Sequence, residues 1–235
     1  MINGLKILAH VTARGGSKRI VDKNIKEING HPLLAYSIME AKKSKYVDKV
    51  ILDTDSEEYA EIGKKYGAEI PYMRPKELAT DTAKAMDVTI HAINWFKEHN
   101  EPFDILVKLQ PTTPLRLAED IDNALKIFIE KGADSIVSVT EAYVPPLWVN
   151  TLPEDHNMKD FIQDLSKIQL NTQELKKYYQ LNGVVFLAKC DHLLKTHSWY
   201  GKKAYAYIMP RERSIDIDEP IDFEIAELYL KKRSN

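Results

Sequence analysis

The sequence contains a single cysteine, Cys190, among 235 residues. One thiol excludes a disulfide within the chain and any metal cluster held by several cysteines. The chain also lacks an apolar run long enough to span a bilayer, and its first residues lack the pattern of a signal peptide. We therefore expect a soluble, cytoplasmic protein that does not act at a membrane.

An excess of charge of either sign is also missing. The chain has 33 Lys and Arg against 35 Asp and Glu, and its formal net charge is −2. Without a basic surplus, general binding to nucleic acid has no electrostatic support. The 7 histidines show no metal-ligand spacing, and no serine–histidine–aspartate arrangement stands out. We interpret each histidine as structural or as a surface residue.

What the chain does have is a regular alternation of strand and helix patterns, with 44% hydrophobic residues to build a core. The apolar, strand-like segments are 5–9, 49–54, 68–73, 103–109, 134–140, 184–188 and 205–209. The helix-like segments are 32–41, 55–66, 83–99, 118–130 and 220–232. This order predicts one α/β domain over residues 1–235, with a mostly parallel sheet covered by helices on both faces. Segment 103–109 is nearly all apolar, which predicts a central strand.

The alternation stops between residues 142 and 180. This segment contains three prolines and no clear period, but Tyr143, Trp148 and Phe161 indicate packing against another surface. Disorder and an arm that contacts a partner subunit are both compatible with the pattern. We expect an insertion that forms a dimerisation arm, and hence a homodimer.

A glycine-rich loop follows the first predicted strand. Gly15 and Gly16 allow the backbone to approach a ligand closely. The cations around them are Arg14, Lys18, Arg19 and Lys23. Exposed amides and convergent cations suit a polyphosphate, and α/β sheets bind ligands at the carboxyl ends of their strands. The loop is neither a Walker A motif nor a dinucleotide fingerprint, which disfavours a nicotinamide-dependent dehydrogenase. An ordinary solvated loop is the alternative.

Two aspartates near the C-terminal end form a second candidate site. On an extended segment, Asp216 and Asp218 lie on one face and Ile215 and Ile217 on the other. Neighbouring carboxylates repel each other unless a cation lies between them, so this pattern suits Mg²⁺ at a phosphate-binding site. Alternatively, Asp218 is the N-cap of a helix that begins at Pro220.

Two further stretches have open interpretations. Gln110 and Arg116 follow the predicted central strand and suit recognition of hydroxyls and anions, but prolines at 111 and 114 also suit a rigid connector. Asn182 and Gly183 open a strand and are equally consistent with a simple turn.

Taken together and in this order, the motifs resemble those of the CMP-sialic acid synthetases (acylneuraminate cytidylyltransferases). The matching stretches are Ala-Arg-Gly-Gly-Ser-Lys at 13–18 with Lys23-Asn24, Arg74-Pro75 with 78–83, Leu-Gln-Pro-Thr-Thr-Pro-Leu-Arg at 109–116, Asn-Gly-Val-Val-Phe at 182–186 and Ser-Ile-Asp-Ile-Asp at 214–218. The resemblance covers nearly the whole chain.

The resemblance implies a Rossmann-like nucleotidyltransferase fold that binds CTP and a small sugar acid. The nucleotide-binding residues that it implies are Arg14, Gly15, Gly16, Ser17, Lys18, Asn24, Arg74, Ala79 and Thr82. The implied catalytic residues are Lys23, Asp216 and Asp218, with the two aspartates as Mg²⁺ ligands. The implied acceptor-binding residues are Gln110, Arg116, Asn182, Phe186, Trp199 and Tyr200.

The implied reaction is attack of the anomeric hydroxyl of a nonulosonic, sialic acid-like sugar on the α-phosphorus of CTP, with release of pyrophosphate. The residues that would contact the acceptor sugar differ from those common in the family. Basic residues common in the family are absent at Trp148, Thr172 and Gln180, and Phe186 replaces a tyrosine. Two alternatives therefore stay open: an eight-carbon ulosonate or other acceptor, and a CTP-binding protein without turnover.

Overall fold

The computed structural model describes residues 1–17, 19–162 and 176–234. Two residues that the sequence singled out, Lys18 and Thr172, lie outside the described residues. The strands are β1 (Ile7–Thr12), β2 (Glu27–Ile28), β3 (His31–Pro32), β4 (Lys49–Asp53), β5 (Ile105–Leu109), β6 (Ser135–Glu141), β7 (Tyr179–Lys189) and β8 (Ala204–Met209). The helices are α1 (Leu33–Lys43), α2 (Glu57–Lys65), α3 (Ala85–Glu98), α4 (Ala118–Glu130), α5 (Cys190–Thr196) and α6 (Pro220–Ser234).

Six strands form one sheet in the order β4–β1–β5–β7–β6–β8, and β2 and β3 form a small separate hairpin. Within the six-stranded sheet, β7 runs antiparallel to both of its neighbours while the other pairs are parallel. The predicted mostly parallel sheet is confirmed, and β5 is a central strand as predicted. Because β7 is reversed, its amino end lies at the edge where β1, β4 and β5 have their carboxyl ends.

Helices cover both faces of the sheet, as predicted. On one face, apolar residues of α1, α2 and α4 pack in a cluster with Ile7, Val107 and Leu187. On the other face, α3 and α5 pack against Leu8 and Leu106. A third cluster joins α6 to Ile217 and to residues near the hairpin. None of these helices is long and apolar enough to cross a membrane, within the residues that the structure describes.

The predicted strand at 68–73 is wrong. Glu69 makes an isolated parallel bridge with Ile51, and its N–H and C=O bond to Val50 and Leu52. Pro71 has no N–H to continue the ladder, so the pairing ends there. The segment then passes to Arg74, whose N–H donates to the carbonyl of Thr54.

The segment that follows β6 contains one short 3₁₀ helix, Pro146–Trp148, within its described part, 142–162 and 176–178. Trp148 and Phe161 are half-buried, whereas Tyr143, Val149 and Met158 are exposed. The remainder, 163–175, lies outside the described residues. The insertion expected at 142–180 thus gives way to β7 at Tyr179, and the dimerisation arm stays a prediction.

Candidate active site

The glycine loop leaves the carboxyl end of β1 and is fixed by three polar contacts. The N–H of Ala13 donates to the carbonyl of Asp53, and the N–H of Gly15 donates to Asp55 Oδ1 at 2.9 Å. The buried Asn24 donates from Nδ2 to the carbonyl of Arg14 at 3.1 Å. Gly16 has φ +68° and open space where a Cβ would lie. Ser17 follows Gly16. The backbone at Gly16 is therefore free of side-chain obstruction, and Asn24 holds the shape of the loop.

A cavity of about 230 Å³ lies beside this loop and brings together residues that the sequence assigned to the nucleotide. Arg14 and Arg74 line it, together with Leu78, Thr80 and Asp81 of the turn that follows. The Arg14 guanidinium lies 2.7 Å from Asp81 Oδ1 and 3.4 Å from the carbonyl of Ala79. The hydroxyl of Thr82 lies 3.3 Å from that of Thr80 in the same turn.

Arg74 is buried and held by Asp53. Its Nε lies 2.6 Å from Asp53 Oδ1, and one terminal nitrogen donates to the Asp53 carbonyl at 2.7 Å. Asp53 Oδ2 also accepts from the Tyr72 hydroxyl at 2.8 Å and lies 2.9 Å from His10 Nε2. Burial alone would raise the pKa of Asp53, but its bonds to His10 and the charge of Arg74 hold that pKa below the usual range. Arg74 is therefore a rigid wall of the cavity.

The acidic motif has the predicted alternation. Ile217 is buried and its N–H donates to the carbonyl of Thr112 at 2.8 Å, whereas Asp216 and Asp218 are exposed. Pro220 is the first residue of α6, as predicted. The alternative role of Asp218 as N-cap is wrong: α6 begins at Pro220, so Glu219 is the residue directly before it, and the carboxylate of Asp218 lies beside Lys23. The side chain of Asp218 points instead to the glycine loop.

Lys23 joins the loop to the acidic motif. Its Nζ donates to the carbonyl of Ile217 at 2.6 Å and lies 3.3 Å from Asp218 Oδ1. Arg19 lies 3.9 Å from the same carboxylate oxygen. Two motifs nearly 200 positions apart in the chain therefore form one site at the carboxyl edge of the sheet.

Gly183, Gln110 and Asp216 meet next to this junction. Gly183 has φ +69°, and a Cβ there would lie 2.5 Å from Gln110 Nε2 and 3.3 Å from Asp216 Oδ2. Gln110 Nε2 donates to the carbonyl of Gly183 at 2.9 Å. This close approach explains why a glycine stands in the amino-terminal half of β7, where the sequence alone allowed a simple turn.

The two carboxylates suit a divalent cation. Although Asp216 is exposed as a whole residue, the protein around its carboxyl group partly desolvates that group. This desolvation, with a further contribution from the charge of Asp218, raises the pKa of Asp216. A cation bound by both carboxylates would relieve the repulsion between Asp216 and Asp218. No group of three or more His, Cys, Asp or Glu converges among the described residues. Two carboxylates with further ligands from phosphate oxygens are the arrangement typical of Mg²⁺.

A larger cavity of about 720 Å³, called here the acceptor cavity, runs from Phe186 along the amino end of β7 to the acidic motif. Residues of β7 that line it are Gln180, Leu181, Asn182, Gly183 and Phe186. Its other walls are Tyr143, Ser214, Ile215, Asp216, Asp222, Ile225 and Tyr229. Trp199 packs on Phe186, with ring centroids 5.5 Å apart. Gln110 and Asp216 connect this cavity to the junction of the glycine loop and the acidic motif.

Asn182 borders the acceptor cavity and also fixes its wall. It is buried, its Oδ1 accepts from the Ser138 hydroxyl at 2.6 Å, and its Nδ2 donates to Ser214 Oγ at 2.9 Å. It therefore ties β6 and β7 to the first residue of the acidic motif.

Two residues predicted to bind the acceptor are placed elsewhere. Arg116 is 1% exposed and donates to the carbonyls of Val184 and Gln110 and to two hydroxyls. Burial lowers its pKa to about 10. A direct contact with substrate does not fit this position, and Arg116 instead braces the loop at 110–116. Tyr200 is exposed and lies just before β8. This is the end of the sheet opposite the acceptor cavity, where the carbonyl of Trp199 accepts a hydrogen bond from the Ser135 hydroxyl.

Sequence reasoning missed the polar groups on the α3 side of the sheet: His10, Asp53, Tyr72 and Lys108. Lys108 offered a signal, because it is a cation in an otherwise apolar central strand. His10 offered a similar one inside β1. Asp53 ends β4 at the same edge, but its bond to Arg74 depends on a segment 21 residues further along the chain.

A family model described as cytidylyltransferase matches residues 8–232 of the chain. The chain is 38% identical over 231 residues to the N-acylneuraminate cytidylyltransferase of Escherichia coli O18:K1:H7, covering 97% of this chain and 53% of that protein. It thus spans about half the length of that relative. It is 33% identical to the CMP-N,N′-diacetyllegionaminic acid synthase of Legionella pneumophila, covering 97% of both chains.

The fold is also similar to solved structures. The CMP:2-keto-3-deoxy-manno-octonic acid synthetase complexed with CTP superposes with a TM-score of 0.71 at 14% identity. The superposition covers 97% of this chain and 99% of that one. At this identity, the likeness shows the shared nucleotidyltransferase fold.

Proposed function

The chain belongs to the cytidylyltransferase family, and from this membership we propose that it transfers CMP from CTP to the anomeric hydroxyl of a nonulosonic sugar acid. The relatives that support this substrate class carry N-acylneuraminate and N,N′-diacetyllegionaminic acid in their names. The octonic acid synthetase shares the fold at low identity and so leaves the acceptor open.

The contact of Lys23 with the acidic motif carries the proposal. It places a loop with free backbone and several cations against two carboxylates, at the edge of the sheet where α/β proteins bind ligands. A nucleotide-binding protein without turnover would need the cations of the loop, but not a pair of carboxylates that repel the phosphates. This pair favours the enzyme over the binding protein.

In the proposed reaction, the anomeric oxygen forms a bond to the α-phosphorus. The bond from that phosphorus to the pyrophosphate oxygen breaks, pyrophosphate leaves with the electron pair of that bond, and the proton of the hydroxyl passes to water. Such a transfer depends on positioning and on neutralising charge rather than on covalent chemistry by the protein. Lys23 and the loop cations would hold the phosphates. Asp216 and Asp218 would hold Mg²⁺, which when bound neutralises charge on the phosphate oxygens.

The smaller cavity would take the nucleoside. Its walls are the rigid Arg74 and the turn at 78–83, and Arg14 lies at its border with the glycine loop. The Arg14–Asp81 contact is half-exposed, so it is weak enough to exchange for a phosphate oxygen. Gly15, Gly16, Ser17 and Asn24 would form the floor beneath the phosphates.

The acceptor cavity would take the sugar acid. Gln110 would bind hydroxyls, while Asn182, Phe186 and Trp199 would shape the apolar and polar walls. Gln180 lines this cavity with a neutral amide, and Trp148 is half-buried outside it. We infer that the acceptor differs from ordinary sialic acid in the groups it presents to these positions.

We also propose a homodimer. Exposed large apolar side chains occur on the segment after β6, on the edge strand β8 and on α6, and Tyr143 and Ile225 from two of these elements line one cavity. The exposed side chains on these three elements are Tyr143, Val144, Val149, Leu152, Met158, Tyr205, Ile208, Ile221, Ile225 and Leu228. An exposed apolar surface of this extent is typical of an interface. A monomer by sedimentation velocity at micromolar concentration would contradict the dimer. The cytoplasmic location stays a prediction.

Pyrophosphate release tests the proposed function. The chain is incubated with Mg²⁺, one nucleotide (CTP, ATP, GTP or UTP) and one acid. The acids are N-acetylneuraminic, N,N′-diacetyllegionaminic, pseudaminic and 2-keto-3-deoxy-manno-octonic acid. We expect release with CTP and a nine-carbon acid, and a product that contains CMP by mass spectrometry. Release with the eight-carbon acid alone would support the alternative acceptor, and CTP binding without release from any pair would support a non-catalytic protein.

A further inference from the structure

The acceptor cavity has no cation of its own. Among its lining residues, all of which the structure describes, the charged ones are Asp216 and Asp222. A sugar acid brings a further carboxylate into this surrounding. Carboxylates that lie close together repel each other strongly unless a cation is nearby. The Mg²⁺ proposed at Asp216 and Asp218 would be engaged by the phosphates of CTP, so a cation for the acceptor carboxylate would come from a neighbouring element.

Lys108 is placed to do so. On the central strand β5 it pairs with His10 on one side and with Phe186 on the other. Its neighbours Val107 and Leu109 pack in the cluster under α1 and α4, so Lys108 points to the opposite face. Its Nζ lies 5.9 Å from the centroid of the Phe186 ring, which lines the acceptor cavity. Gln110 follows two residues later, at the same edge.

Lys108 also lacks an anionic partner among the residues that the structure describes. It is 7% exposed, and no described residue forms a hydrogen bond or an ion pair with its amine. The nearby cations are all paired: Arg14 with Asp81, Lys23 with Asp218, Arg74 with Asp53, Arg211 with Glu141 and Arg213 with Asp120. Burial, and then the charge of Arg74, lower the pKa of Lys108.

The Lys108 side chain is mostly buried, but its amine still reaches solvent, because the fully buried side-chain atoms without a partner among the described residues are His10 Nδ1, Tyr59 Oη, His91 Nδ1 and Thr140 Oγ1. An ammonium at the end of a mostly buried side chain is stabilised by an anion beside it. The ring of Phe186 offers a weak attraction at most. An anion beside the amine would make this position more favourable. In the proposed reaction, the acceptor provides one.

On the basis of the proposed function, we propose that Lys108 determines acceptor specificity. Its amine binds the carboxylate of the sugar acid next to Gln110 and Phe186. CTP binds at the other cavity, so the contribution of Lys108 concerns the acceptor.

The test compares each nine-carbon acid that supports turnover with its C1 methyl ester, in the wild type and in Lys108→Met. The measured quantities are KM and kcat for the acid, the inhibition constant of the ester, and KM for CTP. In the wild type we expect the acid to bind about 10- to 100-fold more tightly than the ester, as for a hydrogen bond to a charged group. In Lys108→Met this preference disappears, because KM for the acid rises while the values for the ester and for CTP do not change.

Lys126→Met is the matched control, since Lys126 is an exposed lysine of α4 bonded to Asn123. We expect wild-type values for it. Lys108→Gln, which keeps a polar group in the site, is the second variant if Lys108→Met does not fold, with the same loss of preference expected. Equal losses for acid and ester, or a parallel rise of KM for CTP, would overturn the role of Lys108 alone. A wild type inactive with every acid would overturn the proposed function and this assignment with it.

Discussion

The Nζ of Lys23 lies 3.3 Å from Oδ1 of Asp218, across 195 positions of the chain. The same amine donates to the carbonyl of Ile217, which precedes that aspartate. This contact makes the glycine loop and the acidic motif two sides of one site. It also places the carboxylate of Asp218 beside Lys23 rather than in the first turn of α6, while Asp222 accepts the N–H groups of residues 218 and 219.

Substitution of Gly183 tests how closely this site is packed. Replacing it by Ala forces a Cβ to within 2.5 Å of Gln110 Nε2 and 3.3 Å of Asp216 Oδ2, in addition to strain at φ +69°. Displacing reacting groups by about 1 Å costs on the order of 10²-fold in rate. We expect a loss of that order in kcat/KM for Gly183→Ala.

Gly132→Ala is the control for backbone strain. Gly132 has φ +55°, but a Cβ at this position would have nothing within 4 Å, so the alanine variant bears the conformational cost of about 1–2 kcal/mol without the collision. Its kcat/KM should equal that of the wild type. Equal activity losses in the two variants would show that strain alone accounts for the effect.

Asp53 tests the rigid wall of the nucleotide cavity. Asp53→Asn removes the partner of the buried Arg74 guanidinium, and breaking such a pair costs about 3–5 kcal/mol of the free energy of unfolding. Urea denaturation measures this loss in the free energy of unfolding. Glu61→Gln removes a solvent-exposed pair with Lys64 and should leave the denaturation midpoint unchanged. A midpoint for Asp53→Asn equal to that of Glu61→Gln would refute the structural role of the Asp53–Arg74 pair.

His10 should make the stability depend on pH. Burial lowers its pKa in the folded protein below 6.5, so below that pH the unfolded chain binds a proton that the native protein does not. Stability should therefore fall as the pH falls from about 7 to 5, with at most about 1.4 kcal/mol per pH unit from this residue. His10→Gln should have a shallower profile of Tm against pH.

His156→Asn is the control for that profile, because His156 is exposed and Asn tolerates its φ of +58°. Its profile should match that of the wild type. A wild-type slope retained in His10→Gln would mean that other groups cause the pH dependence.

Local patterns in the sequence were sufficient to predict most strands, the position of β5 and the presence of Pro220 at the start of α6. They failed where long-range pairing decides the outcome. Segment 68–73 has strand-like residues, but Pro71 ends its pairing with β4. Arg116 has the residue type of an anion ligand, yet the fold surrounds it with carbonyl and hydroxyl acceptors. The Asp53–Arg74 pair and the position of Lys108 beside Phe186 depend on which strands are neighbours, which no short motif specifies.

The turnover of Asp218→Asn tests the central claim most directly, namely that the loop and the acidic pair form one site for nucleotidyl transfer. It is measured as pyrophosphate release at saturating CTP, Mg²⁺ and the best acid for the wild type. Asp191→Asn serves as a control, because Asp191 is an exposed aspartate paired with Lys97. We predict at least about a 100-fold loss of kcat for Asp218→Asn, with Tm unchanged and Asp191→Asn fully active. Wild-type turnover by Asp218→Asn would contradict the account.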